Sequence, residues 1–399
     1  MKPFFKLDQI TTVILFLLAF SSLLYSFEAI MSILMIASAV LLLALNIRRK
    51  SFFNPKFFAF YGSFIAITFL NFFYLGEKSS KNIADSFFIF IVPLFSIELY
   101  KSPFFIKNKE QIFLTFIFSC CLLSLFFIGF YIKDIPYHNY DWYVLRFRME
   151  YFYKIHGTYI SLWFGVAMIL FYDFLLFRKW TIKFLIVFVI LIVGILLFNS
   201  RIVIIGIFIV MILRLFTIKE KYNKKIALIA LVLFSSIILL FSKRILDNFN
   251  AAFSTSVLTS ERYTIAYCSC ETASKSLLFG YDLNKIQSKL NNCYDRYYHP
   301  NLSELNFNCH SQYLDFVLKG GIFLVILFFL TIYFKIKLCI KNKDYRYLSI
   351  TILFTLAFIT ENVLQRQYGI YIYAFCDIML FGGLFVVHQG DSTNKIKEN

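Results

Sequence analysis

Apolar runs of roughly 17–25 residues, separated by short polar connections, recur along this chain from end to end. That is the length an α-helix needs to cross a hydrocarbon core about 30 Å thick. The short alternating segments of a membrane β-barrel do not dominate. The pattern therefore predicts an all-α, polytopic integral membrane protein with about 12 transmembrane helices. They fall near residues 9–26, 28–46, 57–74, 84–99, 112–131, 157–177, 182–199, 202–217, 226–242, 311–334, 347–361 and 368–387. The polar segment 243–310 is too short to form an independent domain with a large core of its own. The expected organisation is one membrane domain: N-terminal helices over 1–242, a long loop with short helices over 243–310, and C-terminal helices with a tail over 311–399.

Composition agrees with lipid as the solvent. The 399 residues are 60% hydrophobic, whereas soluble domains are about 45–50% apolar. The net charge of +17 would suit nucleic acid, but the cations sit in short loops between apolar runs, which argues against that partner. They alternate as the positive-inside rule requires. Arg48, Arg49 and Lys50, then Lys101, Lys107 and Lys109, then Arg178, Lys179 and Lys183, then Lys219, Lys221, Lys224 and Lys225 fall on one side. With them go Lys335, Lys337, Lys341, Lys343, Arg346 and both termini. Lys2 and Lys6 precede an apolar run without a small-residue cleavage site, which predicts a retained first helix.

The same topology sends four segments to the opposite face: the connection around 133–156, the tip Asn199–Arg201, the long loop, and "TENVLQRQYG" over 360–369. "DIPYHNYDWYVLRFRMEYFYKIHG" mixes aromatics with charges, as a segment in the headgroup layer would. Within the long loop, "TSERYTIAYCSCETASKSLL" reads as a helix with Ser260 as N-cap. Arg201, at a hairpin tip, is either a snorkelling helix end or a fork of donors for phosphate. Arg262 is a solvated helix charge or a second such fork, and His310 is a polar cap or a general base. Jointly, two arginines and a histidine on one face could hold a diphosphate leaving group and deprotonate a hydroxyl. No carboxylate pair or metal-ligand cluster offers a better centre.

The order "NSR", then "ERYTIAY…LLFGYD", then "NCHSQYLDFVLKGG" resembles the O-antigen ligase superfamily, which includes O-antigen polymerases. "HGTYISLW" over 156–163 and "TENVLQRQYG" are also similar to segments of that family, so the resemblance covers mainly 156–375. Ser311 stands where the family has Asn, and "LLFGYD" lacks a proline and a second glycine. The resemblance implies a glycosyltransferase that moves a glycan from an undecaprenyl-diphosphate carrier to a hydroxyl of lipid A core. It would work at the periplasmic face of a bacterial inner membrane, with no metal, cofactor or nucleotide sugar. A polymerase would use the same chemistry on a growing glycan. His310, Arg262 and Arg201 fall on its catalytic positions, and His156, Arg366 and Tyr313 are candidate substrate-binding residues. A flippase or transporter for a lipid-linked anion is the rival, and would favour helices interrupted at mid-membrane.

Secondary features have plainer readings. Glu361 and Arg366 are positioned to pair, and Asp315 to pair with Lys319 at i+4. Asp377 lies within the last span and faces the bundle interior. Cys268, Cys270, Cys293 and Cys309 share the outer loop, where an oxidising compartment would favour bridges from the first pair to Cys293 and Cys309.

Overall fold

The computed structural model describes residues 2–24, 28–49, 96–138, 142–153, 156–176, 182–240, 261–297 and 299–384, with isolated positions between 61 and 89. The described residues are helical and include no strand. In chain order the helices are α1 (Lys2–Phe20), α2 (Glu28–Arg48), α3 (Pro103–His138), α4 (Trp142–Tyr153), α5 (Gly157–Leu176), α6 (Ile182–Phe198) and α7 (Arg201–Thr217). They continue with α8 (Lys221–Leu240), α9 (Glu261–Ser274), α10 (Ile286–Arg296), α11 (Pro300–Glu304), α12 (Gln312–Asn342), α13 (Tyr345–Thr360) and α14 (Gln367–Cys376). A π-turn over Asp377–Phe381 prolongs α14.

Four segments are long and apolar enough to cross a membrane: Ala29–Arg48, Pro103–Lys133, Gly157–Leu176 and Gln312–Asn342. Leu7–Phe20, Lys183–Phe198 and Tyr345–Thr360 are shorter apolar helices. The spans expected over 57–74 and 84–99 lie largely outside the described residues, as does Ser260. α5 is buried along its whole length, so it is the central pillar of the bundle. Glycines let the helices close up: a Cβ on Gly165 of α5 would come within 2.9 Å of Val203 on α7, and one on Gly206 of α7 within 2.7 Å of Leu353 on α13.

The charges separate by end. Arg49, at the close of α2, pairs with Asp8 near the start of α1 at 2.9 Å and with Glu98 at 3.5 Å. Arg346, at the start of α13, bridges Asp173 at 2.9 Å and Glu110 at 2.8 Å, and Asp173 also binds Arg214. The beginnings of α5, α7 and α12 and the end of α13 lie at the other end of the bundle. Between the ends, Lys335 and Asp377 form a fully buried ion pair at 2.6 Å. Tyr61 donates to Asp377 at 2.7 Å, Tyr347 donates to its other oxygen, and Lys335 also donates to Tyr373 at 2.7 Å. The interior placement expected for Asp377 holds, and its three partners come from three separate stretches of sequence.

α12 is broken by Gly320 (φ −150°) and Gly321 (φ 67°). The second lies in the left-handed region that glycine enters without a Cβ penalty. The break divides a short outer piece from 21 residues over 322–342, which at 1.5 Å per residue extend about 31 Å, the thickness of a bilayer core, with exposed Lys337 and Lys341 in the last two turns at its far edge.

Beside that outer piece, α9 to α11 enclose a small core of Ile265, Leu290, Tyr294 and Leu302. A Cys268–Cys293 disulfide staples it. The bridge expected at Cys309 is absent. Its thiol is free, buried, and held by Asn362 and the Ser311 carbonyl instead. Burial pushes that thiol up to about 12, so it stays protonated and unreactive. Cys270 is free and exposed.

Candidate active site

The start of α12 is built by local chemistry. Ser311 has extended backbone and its hydroxyl accepts from the Leu314 amide at 3.5 Å, closing the first turn as an N-cap. Serine and asparagine cap about equally well, so Ser311 can fill the position where the related pattern has Asn. Just before it, His310 sits at φ 47°, a left-handed conformation that costs a non-glycine residue about 1–2 kcal/mol. Its amide donates to the Asn308 side chain at 3.1 Å, which helps hold it there. Backbone strain maintained on one exposed-edge histidine is a pointer to function.

The segment after α13 docks along this helix start, residue against residue. Glu361 faces His310, with Nδ1 to Oε2 at 3.6 Å. Asn362 faces Cys309 at 3.4 Å, and the Leu364 amide donates to Gln312 at 2.8 Å. Gln365 donates to Asp315, which also pairs with Lys319 at 2.9 Å. The expected Asp315–Lys319 pair is present. Glu361, expected against Arg366, is instead the histidine's partner, and Arg366 is exposed.

Glu361 is buried. Burial pushes its carboxyl up, but the His310 imidazole 3.6 Å away, the nearby His156 and the Thr158 hydroxyl outweigh it and hold it below the usual carboxylate range. Thr158 donates to its other oxygen at 3.2 Å. A carboxylate on the Nδ1 side favours the proton there and leaves Nε2 free to accept one.

His156 lies beside this pair. It is exposed at the rim yet crowded on one side by protein, which lowers its pKa against the pull of Glu361 and Glu150. The neighbouring Gly157 amide donates to Glu150 at 2.9 Å, and Arg146 Nε donates to the same oxygen at 2.8 Å. A Cβ on Gly157 would meet that oxygen at 2.4 Å, so glycine is required for the contact.

Arg201 opens α7 after Asn199, whose φ of 44° makes the tight hairpin tip. Partial burial and then the charges of Arg262 and Arg146 press its pKa below the ordinary arginine value. Arg201 thus lies near two other guanidiniums, of which Arg146 is paired with Glu150. Among the described residues neither Arg201 nor Arg262 has an ion-pair partner, and the buried Asn199 Oδ1 has no hydrogen-bond partner. Arg201 and Arg262, like charges without a counter-charge of their own, form a ready anion site.

The three candidate catalytic residues therefore lie on one end of the bundle. Arg201 and Arg262 are neighbours by their mutual repulsion. Arg146 links them to the His156–Glu361–His310 group, because it acts on both Arg201 and His156. Tyr313 goes elsewhere: its hydroxyl donates to the Thr355 carbonyl at 2.9 Å and its ring stacks on Phe329 with centroids 5.1 Å apart. That is a packing role. Glu361 and Arg146 are the residues whose part in the cluster sequence reasoning missed. Arg146 sat in a segment read only as interfacial, and nothing local links Glu361 to a histidine 51 positions away. No group of three or more metal-ligating side chains occurs among the described residues.

Residues 186–329 match the family model described as O-antigen ligase. The matched region runs from α6 into α12 and contains Arg201, Arg262 and His310, but not His156, Glu361 or Arg366. No curated protein matches the chain. The family match, on a bundle with helices of membrane length, supports an enzyme of the ligase or polymerase type of membrane glycosyltransferase.

Proposed function

We propose that the chain is a metal-independent, inverting glycosyltransferase. It moves a glycan from an undecaprenyl-diphosphate carrier to a hydroxyl of lipid A core, at the periplasmic face of a bacterial inner membrane. The carrying observation is the pairing of an uncompensated arginine group with a carboxylate-oriented histidine at one end of the bundle. An anion and a hydroxyl are the two things such a site is built to receive.

In this reading the acceptor hydroxyl binds with its proton toward Nε2 of His310. Its oxygen attacks the anomeric carbon, the bond from that carbon to the diphosphate oxygen breaks, and the proton passes to Nε2. The electron pair leaves with the diphosphate, whose growing charge is met by Arg201 and Arg262, with Arg146 adjacent. Each charge-assisted hydrogen bond contributes about 1.5–3 kcal/mol. Glu361 stabilises the imidazolium formed at His310. His156 and the exposed Arg366 border the site and have room to contact the carrier or acceptor.

The geometry does not favour a flippase. The interruption of α12 lies at Gly320–Gly321, with a full bilayer's length of helix after it, and so belongs at the boundary rather than at mid-membrane. The test is transfer from carrier lipid in vesicles containing purified protein. His310→Ala with intact folding should lose transfer. Near-normal transfer by that variant would overturn the general-base assignment. In a bacterial deletion strain, polymer left on the carrier marks a ligase, and single-repeat products on lipopolysaccharide mark a polymerase.

A further inference from the structure

The break in α12 has a partner. With Gly320 and Gly321 outside helical geometry, the bond from the Ile322 amide to the Leu318 carbonyl is replaced by two others. Ile322 donates to the Leu277 carbonyl at 2.7 Å, and Leu318 accepts from the Tyr281 amide at 2.7 Å. The loop segment 277–281 thus supplies the acceptor and the donor that the helix gave up. The contact is backbone on backbone: a Cβ on Gly321 would fall 2.0 Å from the Leu278 oxygen, and one on Gly280 2.7 Å from the Gly320 nitrogen. Both glycines have positive φ, 67° and 71°. Two positions that admit only glycine, facing each other, make a clasp of fixed depth along α12.

That depth is the edge of the hydrocarbon. The 21 residues beyond the break match a bilayer core of about 30 Å. Phe323, just inside, begins an exposed apolar stripe that continues through Ile326 and Leu330, as a lipid-facing surface must. The clasp brings three more apolar side chains to this level, and all point out of the protein: Leu277, Leu278 and Phe279, the last 76% exposed. Phe279 lies against Phe323 with ring centroids 6.0 Å apart, so the loop residues extend the stripe without a gap. Backbone that enters lipid must have its polar groups satisfied internally, and the bonds to Ile322, Leu318 and Ser276 do that for the Leu277 carbonyl and the Tyr281 and Gly280 amides.

We propose that Leu277, Leu278 and Phe279 insert into the outer leaflet, so that acyl chains of the bilayer are the partner of this face. The insertion anchors the loop, and through the clasp sets the height of two catalytic candidates above the membrane. His310 stands one short helical piece before the break, and Arg262 lies on α9, whose end leads into the clasp. A site that attacks a lipid-linked diphosphate has to be held level with the headgroups. The insertion itself rests on the membrane reading and not on the transfer chemistry.

The test uses the full chain in phospholipid nanodiscs, in a Cys270→Ser background that removes the one exposed free thiol among those described and keeps the disulfide. Nitroxide labels are attached at Phe279→Cys and, separately, at Leu278→Cys. Phe323→Cys serves as the lipid standard and Ser288→Cys, on the polar surface of α10, as the aqueous standard. Collision rates with dissolved oxygen and with a water-soluble nickel chelate are compared. The expected result is an oxygen preference at 278 and 279 several-fold above that at 288 and close to that at 323. Values at both positions nearer to 288 than to 323 would overturn the insertion. The readout involves no glycan transfer, so failure of the glycosyltransferase reading leaves it intact and the converse also holds.

Discussion

The two ends of the bundle carry similar side chains and treat them in opposite ways. At one end Arg214, Arg346, Asp173 and Glu110 form a closed set in which each charge has a partner. Deeper in, Lys335 and Asp377 are sealed among three tyrosine hydroxyls. At the other end Arg201 and Arg262 repel each other with no ion-pair partner among the described residues, and the histidine–carboxylate distance is loose. Arg201 and Arg214 bracket the same helix, thirteen residues or about 20 Å apart. Compensated charge holds helices in register. Uncompensated charge waits for a ligand, and substitutions should separate the two.

The largest effect is expected at His310. A positioned general base contributes about 10²–10⁴-fold, so His310→Ala should lower kcat by that range in a vesicle transfer assay. Thermal stability should stay unchanged, because the side chain is partly exposed and its position is strained. Lys335→Met should behave in reverse. Removing one member of a buried ion pair costs about 3–5 kcal/mol, so detergent-solubilised protein should unfold at a much lower temperature. The protein that remains folded should transfer normally. Equal loss of activity per folded molecule in both variants would erase the distinction between the ends.

Arg201→Ala and Arg262→Ala come next. Each should lose about 1.5–3 kcal/mol of transition-state stabilisation, read as a fall in kcat/KM with stability unchanged or slightly raised, because a repulsion is relieved. Arg214→Ala should destabilise instead, since it strips a partner from buried Asp173.

How far the sequence reveals this contrast depends on the range of the interaction. Hydropathy and the alternation of basic loops place Arg201, Arg262 and His310 on one face, because membrane thickness converts position along the chain into height. The Asp315–Lys319 pair is legible because it is one helical turn. Partnerships across the bundle are not. Glu361 reads equally well as a partner for Arg366, five residues away, until α13 and α12 dock and bring it to His310. Cys309 reads as a bridging cysteine until the docked segment places Asn362 on its sulfur. Gly320–Gly321 announces close approach by its composition, but only the fold shows that what approaches is the backbone of 277–281.

Glu361→Gln tests the orienting carboxylate, and pH adds a second axis. The folded pKa of Glu361 lies below its unfolded value, so its contribution is present above the ordinary carboxylate range and lost as pH falls through the lowered value. Wild-type stability should therefore keep this contribution on the mildly acid side and lose it only in strong acid as this group protonates. In Glu361→Gln, kcat should drop about tenfold, less than the about 10²–10⁴-fold of the base itself, while KM for the carrier changes little. A change confined to KM would make Glu361 a substrate contact instead.

Tyr313→Phe is the smallest and completes the separation. Its sequence position, three residues after His310, suggests a hand on substrate, whereas its hydroxyl is spent on the Thr355 carbonyl and its ring on Phe328 and Phe329. Removing the oxygen deletes one hydrogen bond between α12 and α13, worth about 0.5–1.5 kcal/mol, and leaves the ring stack intact. Unfolding should shift by that amount, with kcat and KM unchanged for donor and acceptor. A raised KM with unaltered stability would return Tyr313 to the site and would mean that the outer piece of α12 rotates when the carrier binds.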